Sequence, residues 1–377
     1  MVKKQLRELH LEGFLGPIEF LDHHASPPTH YPSGDIEDKP DLLAVWRISD
    51  NTAYVYTEAA KGTVKSIPHY RIEPLVESKG LGGPDAKPQA ATYAAQHLRA
   101  RPDHPGFYCL SIKPKGFEVL YADTAGPHVS EVFSWDDLEI LAMYVYSLYK
   151  PPPGHILRDR SISAVSPRGQ PLGPPTWTVT VAGVTYSGAS ILFCGDPWSR
   201  RTTVFLYKWP SSRPTKQMVI KDYYRQVLRR YDEAELLLHI HSEGFVPGVV
   251  RLVDAETVTD ENDEPITSGE GDDLRVRRRL AIADVGEDLL QAKSVNDLLM
   301  VIYDVLEGKW SVCQTGSIVL KSFTSSSDNC ATAQRTPSGH ESLQHPDLSQ
   351  VGRLCSHQVY RGSPSTHPRH PSWKIEV

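Results

Sequence analysis

The chain has 377 residues, 40% of them hydrophobic and 23% charged, and a formal net charge of −6 at pH 7. That length allows two domains with separate cores, and the negative balance excludes a global basic field for nucleic acid or an anionic membrane. No run approaches the ~18 apolar residues of a membrane-spanning helix, and Met1 to Leu11 lacks an apolar signal core. The five cysteines (Cys109, Cys194, Cys313, Cys330 and Cys355) are scattered, odd in number and without a C-x-x-C pair. They predict a reducing intracellular compartment, cytoplasmic or nuclear.

In chain order, residues 1–34 combine a short charged helical pattern with a Pro/His loop and are expected to be a flexible N-terminal segment. Residues 35–150 predict one α/β domain. Its strands fall in Leu42 to Tyr56, broken by the turn Ser49-Asp50-Asn51, then in Gly106 to Pro114 and Phe117 to Ala122. Gly80 to Pro88 reads as a loop, Ala90 to Ala100 as a helix, and Ser134 to Tyr149 as a second helix capped by Ser134. Pro151-Pro152-Pro153 opens a proline-rich linker, 151–175.

A second unit, 176–321, follows. Trp177 to Val181 and Val184 to Ser187 read as strands paired around Ala182-Gly183, followed by Ile191 to Cys194, Thr202 to Lys208 and Gln217 to Lys221. A charged helix is expected from Asp222 to about His241. Val249 to Glu256 and Arg277 to Ala283 are further strands, separated by a flexible acidic insertion, Asp260 to Asp273. Ser294 caps a last helix to Glu307, with Asp297 in a pattern like a capping box. Residues 322–377 are rich in Ser, Thr, His and Pro, show no periodicity, and predict a disordered tail. The fold class expected is α+β: an N-terminal α/β domain, then an antiparallel sheet with one inserted helix.

The chemistry-bearing constellation is a strand lysine, Lys221 in Met218-Val219-Ile220-Lys221, with Glu233 twelve residues later in Asp232-Glu233-Ala234-Glu235-Leu236-Leu237. A lysine held by a carboxylate can fix nucleotide phosphates, and protein kinases build this pair from a strand Lys and a helix Glu. Mixed charge at a strand end and on a helix also occurs in most α+β proteins.

Around this pair the chain resembles the fungal-type protein kinases, and the matching pieces occur in order between about residues 85 and 310. Before the kinase part these are Tyr93-Ala94-Ala95-Gln96, Phe107-Tyr108-Cys109-Leu110, and Asp123-Thr124-Ala125-Gly126-Pro127-His128-Val129-Ser130. Within it they are Val219-Ile220-Lys221-Asp222, Glu233 to Leu237, Val246-Pro247-Gly248-Val249, and Arg279-Leu280 through Val285-Gly286 to Leu289. Lys293-Ser294, Leu298-Leu299, Asp304 and Glu307-Gly308 complete the series.

The resemblance implies a kinase small lobe and first large-lobe helix within 176–321. It implies a nucleotide site of Lys221, Glu233, Asp284, Gly286, Thr202 and Val204, with Lys221 on the phosphates and Asp284 to Gly286 as the adenine-side hinge. ATP and magnesium are the cofactors implied, and ATP-dependent phosphorylation of protein Ser or Thr the parent activity.

Three departures qualify that inference. The family's Gly-Arg-Gly-Thr before the lysine strand is here Ser199-Arg200-Arg201-Thr202, with side chains where both glycines stand, although Arg200 and Arg201 can attract phosphate. After Glu307-Gly308 the family continues into a His-Arg-Asp catalytic loop and later a metal-binding motif; this sequence reads Gly316-Ser317-Ile318-Val319-Leu320-Lys321 and then the tail. No catalytic residue is therefore assigned, and the chain is expected to be a truncated or pseudokinase-like, catalytically incomplete kinase. His155-Ile156-Leu157-Arg158-Asp159 has a superficially similar composition but precedes the lysine strand, and is read as chance.

A kinase-derived protein-interaction scaffold is the alternative, with a partner the sequence does not name. A nuclease-like first domain, using Glu77-Ser78-Lys79 with Asp41, is a weaker one. His23-His24 and His239-x-His241 lack the spacing of a zinc site, and no metal ligand is assigned.

Overall fold

The structure, a computed structural model, describes residues 18–24, 27–31, 39–46, 67–78, 87–210 except 153, 169 and 171, 216–286 except 243 and 247, 292–296 and 298–303. In the first sheet β1 (Ile18–Asp22), β2 (Leu42–Trp46), β3 (Ile72–Ser78), β4 (Phe107–Lys113), β5 (Gly116–Asp123) and β6 (Gly126–Val129) stand side by side in that order, and β7 (Phe133–Ser134) pairs with β5. Only β3 and β4 run parallel, and the chain between them contains α1 (Lys87–Ala100), as a parallel pair requires a crossover.

The run Phe107-Tyr108-Cys109-Leu110 is buried throughout because both faces of β4 are covered. Phe107 and Cys109 join Tyr93, Ala94 and Leu98 of α1 in one core, while Tyr108 and Leu110 join Tyr144 of α2 (Leu138–Ser147) in another. Period-2 alternation disappears from a strand covered on both sides.

Three expectations about this half are corrected. The second helix starts at Leu138, not Ser134: Ser134 pairs with Gly116 in β7–β5, and its amide donates to Asp137 Oδ2 at 2.9 Å. Gly116 permits that pairing, since a Cβ there would lie 1.9 Å from the Phe133 carbonyl oxygen. Within the N-terminal segment, residues 18–22 form the edge strand of the sheet, and His23 and His30 are fully buried. The stretch 151–175 does not act as a loose linker. The Gly106 amide donates to Ile156 O at 3.0 Å, that of Asp159 to Asp103 O at 2.7 Å, and Leu172 enters the α1-side core. Of the strand region expected at 42–56, residues 47–56 lie outside the described residues.

The second sheet is antiparallel throughout, in the order β13-β15-β12-β11-β10-β9-β8, with β14 on β15. Its strands are β8 (Ile162–Val165), β9 (Thr176–Val181), β10 (Val184–Cys194), β11 (Thr203–Lys208), β12 (Gln217–Gln226), β13 (Leu252–Thr257), β14 (Thr267–Ser268) and β15 (Arg275–Ile282). Ala182 and Gly183, both at positive φ, make the two-residue turn between β9 and β10. The stretches expected as separate strands at 184–187 and 191–194 are one strand, kinked by a register shift at Gly188 (φ +85°) so that its halves pair with β9 and β11.

One face of this sheet packs Trp177, Val179, Val181, Phe205, Met218 and Ile220 into a core. The other face packs Tyr223, Leu280 and Ile282 against Ala234 and Leu237 of α3 (Glu233–Ile240).

The helix expected from Asp222 to His241 is the largest correction here. Asp222 to Gln226 continue β12, and the helix keeps only its last eight residues. Side chains of an extended chain alternate between faces, so Asp222 and Tyr224 point to one side of β12 and Lys221 and Tyr223 to the other. Each of the two tyrosines thereby enters a different core, which a helix could not arrange.

The acidic stretch 260–273 is likewise ordered. Ile266 is fully buried, Ser268 nearly so, and Asp260 Oδ1 accepts the amides of Asn262 and Glu264. Residues 295, 296 and 298–303 are helical; Asp297, the capping-box residue, and the expected tail at 322–377 lie outside the described residues. Two sheets, one mixed and one antiparallel, with few helices make an α+β protein.

Candidate phosphate-binding site

Lys221 lies in the middle of β12, opposite Val204 on β11 and Leu280 on β15. Its ammonium meets both carboxylate oxygens of Glu233, at 2.6 and 2.7 Å. Glu233 can reach back because it is the first residue of α3, whose start is set by Asp232. The Asp232 side chain accepts the Ala234 and Glu235 amides at 2.9 and 3.4 Å, an N-cap that also favours the acidic first turn. Tyr223, two residues along the same face, lies beneath: Lys221 Nζ is 5.1 Å from its ring centre, a cation–π distance.

The stretch aligned with the family's glycine pattern is the turn from β10 to β11. Arg201 has φ +43°, the left-handed region that a glycine adopts freely and an arginine at a cost. Its guanidinium is buried and donates to the carbonyl oxygens of Leu98, Arg101, His104 and Pro105, at 2.7 to 3.2 Å. These carbonyls belong to the C-terminal end of α1 and the loop after it, the groups a helix leaves unsatisfied. The expectation that Arg201 attracts phosphate is therefore corrected: it fastens the turn to the first sheet. Arg200 remains partly exposed, with its guanidinium carbon 4.8 Å from the Tyr223 ring centre and Nη2 3.5 Å from Glu233 Oε2.

Residues 195–271, which include this turn, the lysine strand and the glutamate helix, match the family model described as fungal protein kinase. The chain carries a fungal protein kinase family segment. No curated protein and no solved structure matches it.

Behind the lysine lies a buried charge cluster, formed by one residue of the matched segment and three outside it, that the sequence did not announce. Asp222 receives Arg277 Nε and Arg279 Nε, each at 2.9 Å, on its two oxygens. Asp159 completes the group, 2.7 Å from Arg279 Nη2 and 3.2 Å from Arg277 Nη1. Arg277 also donates to Pro102 O at 2.6 Å and Arg279 to Thr180 O at 2.6 Å. Burial opposes the charge on Asp159, but Arg277 and Arg279 outweigh it and hold the carboxyl below its ordinary range. Burial opposes the charge on Arg277 too, and Asp222 and Asp159 push its affinity for the proton above normal. Asp159 is the acid of the stretch read as a chance likeness to a catalytic loop. It is a structural hub joining the two sheets. A one-residue alternation in β12, Lys221 outward and Asp222 inward, was the available sign of an inward-facing acid.

The remaining expected site residues separate. Thr202 and Val204 lie beside the lysine row. Asp284 and Gly286 follow the end of β15, four and six residues beyond Leu280, so roughly 13 Å or more along the chain from the lysine row. The Asp284 carboxylate is held by Arg251, at 2.7 and 3.1 Å from the guanidinium and 2.7 Å from its amide. These bonds hold its proton affinity below the usual carboxylate range.

In the first domain Asp41 Oδ2 accepts the Ser78 amide at 2.7 Å and Glu77 is buried; Lys79 lies outside the described residues. His241 caps the end of α3, its ring bonded to Val250 O and to the Val246 amide. Among the described residues, no group of three His, Cys, Asp or Glu side chains is arranged to hold a metal ion. No described helix is long and apolar enough to cross a membrane.

Proposed function

We propose that residues 176–303 act as a kinase-type small lobe that binds a nucleoside triphosphate through its phosphates, and that the 377-residue chain transfers no phosphate by itself. The observation that carries this reading is the Lys221–Glu233 ion pair: the ammonium is fixed between both carboxylate oxygens and stays partly exposed, at 22%. A lysine so held can present its charge to phosphate oxygens without first reorganising. The parent activity is ATP-dependent phosphorylation of protein Ser or Thr, with magnesium.

Proton transfer from the substrate hydroxyl and metal binding by the protein fall to a His-Arg-Asp loop and an Asp-Phe-Gly motif in that chemistry. Neither motif occurs after Gly308 in this sequence. The described residues fit the nucleotide phosphates and among them stands no set of magnesium ligands, so no transfer step is assigned to them.

Binding is tested by thermal or chemical denaturation of the full chain with ATP. Ligand at a hundred times its Kd adds about 2.7 kcal/mol to stability, and Lys221→Met is expected to remove most of that gain. Phosphotransfer from the pure protein that disappears in Lys221→Met would overturn the catalytic half of the proposal.

A second reading, the protein-interaction scaffold, is favoured by the exposed apolar side chains of the last described helix, Leu299, Met300, Ile302 and Tyr303. A flat response to ATP and adenosine favours it over nucleotide binding.

A further inference from the structure

Two cations, not one, converge on Tyr223. Lys221 Nζ and the Arg200 guanidinium carbon lie 5.1 and 4.8 Å from its ring centre, and both face Glu233, Lys221 at 2.6 Å and Arg200 at 3.5 Å. One carboxylate thus serves two cations and leaves a local charge of about +1. Burial, then Glu233 and Asp232, push the Tyr223 hydroxyl up to about 12, so it stays neutral. The Arg200 side chain is 44% exposed, and its polar contact with Glu233 is long. A guanidinium on a side chain this exposed is able to grip a second anion with its planar fork.

The backbone carrying Arg200 is held from every side. Arg200 O accepts the Tyr224 amide at 2.8 Å, Ser199 O accepts Arg275 at 2.6 Å, and the Gly195 amide donates to Thr202 O at 2.7 Å. Arg201, the next residue, is anchored in the first sheet. A turn locked in this way places its arginine before any ligand arrives, so little ordering cost falls on binding.

We propose that Arg200 and Lys221 form a metal-independent cradle for the phosphates of a nucleoside triphosphate, with Arg200 neutralising charge that a divalent cation carries in a phosphotransfer site. The inference rests on the nucleotide reading above and deepens it. Its chemical logic is substitution: the nearby carboxylate, Glu233, is already engaged by both cations, so the cluster offers positive charge in place of metal ligands. Magnesium bound to the triphosphate competes with Arg200 for the same oxygens.

The test is calorimetric titration of the full chain with ATP and with adenosine, each in EDTA and in magnesium, repeated on Arg200→Gly and Arg200→Lys. The expected result is ATP binding in EDTA at least as tight as in magnesium. Arg200→Gly should lose roughly tenfold or more of it, the scale of a lost charge-assisted hydrogen bond, and adenosine affinity should not change. Arg200→Lys keeps the charge but loses the fork, and should fall between. ATP binding that requires magnesium, or that survives unchanged in Arg200→Gly, overturns the cradle and leaves the nucleotide site standing. If the parent chain binds neither ATP nor adenosine, the nucleotide reading itself is overturned and the cradle falls with it.

Discussion

Arg201 carries more structural consequence than either member of the Lys221–Glu233 pair. It combines a left-handed backbone with a buried charge whose donors are spent on the carbonyls that end α1. Burial, with the like charge of Arg277, lowers its proton affinity; it stays charged through the oxygens around it. Arg201→Ala is expected to cost about 3–5 kcal/mol, because it leaves several buried carbonyls unbonded and keeps a Cβ at positive φ. Arg201→Gly loses the same bonds but is relieved of the backbone cost, so it should be roughly 1 kcal/mol less destabilised than the alanine variant. Urea denaturation of the three proteins decides this; an alanine variant as stable as the glycine variant would refute the backbone argument. Arg201 stands at positive φ, a conformation that glycine adopts freely. The aligned pattern made the site visible in the sequence, but not what replaced the glycine's function, since the four carbonyls come from residues about a hundred positions earlier.

At the level of elements, the order of strands and the existence of α1 and α3 were legible, because alternation, turn residues and the Asp232 cap are local signals. The misreadings share one cause. β12 reads as a strand followed by a charged helix because Asp222, Arg225 and the arginines after it are polar, and polarity predicts solvent exposure. Asp222 is polar and buried, paired with arginines from β15 that lie more than fifty residues away. The acidic stretch 260–273 misleads in the same way: its charges sit outside while Ile266 and Ser268 turn in. Ser268 Oγ receives the Thr124 hydroxyl at 2.7 Å, and Arg275 spans to Thr124 O at 2.7 Å and Ser199 O at 2.6 Å. Arg275→Ala should loosen this stretch from the first sheet. Limited proteolysis is expected to cut within 260–273 several times faster than in the parent chain; an unchanged cleavage rate there would mean that β14 alone holds it.

For the whole molecule, the interface between the two sheets is built largely of buried polar groups, and this makes its stability sensitive to acid. His30, His69, His97 and His104 are buried in the first domain, with neighbouring ring centres 5.2 to 6.3 Å apart. Arg99, Arg101 and Arg201 stand close to them. Burial is the main cause that lowers His30 to about 4 and His69 to about 3, and it sets His97 and His104 well below the ordinary value of 6.5. Each ring is neutral when folded and takes a proton near pH 6.5 when unfolded, so below that pH the unfolded chain binds more protons. Stability is fully present above about pH 7 and is lost as the pH falls from 6.5 towards 4, by up to ~1.4 kcal/mol per unit for each ring. Denaturation midpoints at pH 7.5 and 5.5 should differ accordingly, and equal midpoints would show that the imidazoles are hydrated. Because the His104 carbonyl accepts Arg201, the same loss should reach the turn that carries Arg200.

The sequence by itself determined the α+β class, the strand lysine with its helix glutamate, and the likeness to the fungal protein kinases, since periodicity, caps and ordered motifs are written in neighbouring residues. Only the tertiary structure decided that Asp159, Asp222, Arg277 and Arg279 form one buried cluster, that the proline-rich stretch is packed between the sheets, and that Arg201 is a fastener while Arg200 stays partly exposed. Those outcomes depend on which distant polar groups meet when the chain closes. A buried charge is stable only beside a partner, and the sequence does not say which partner will be there.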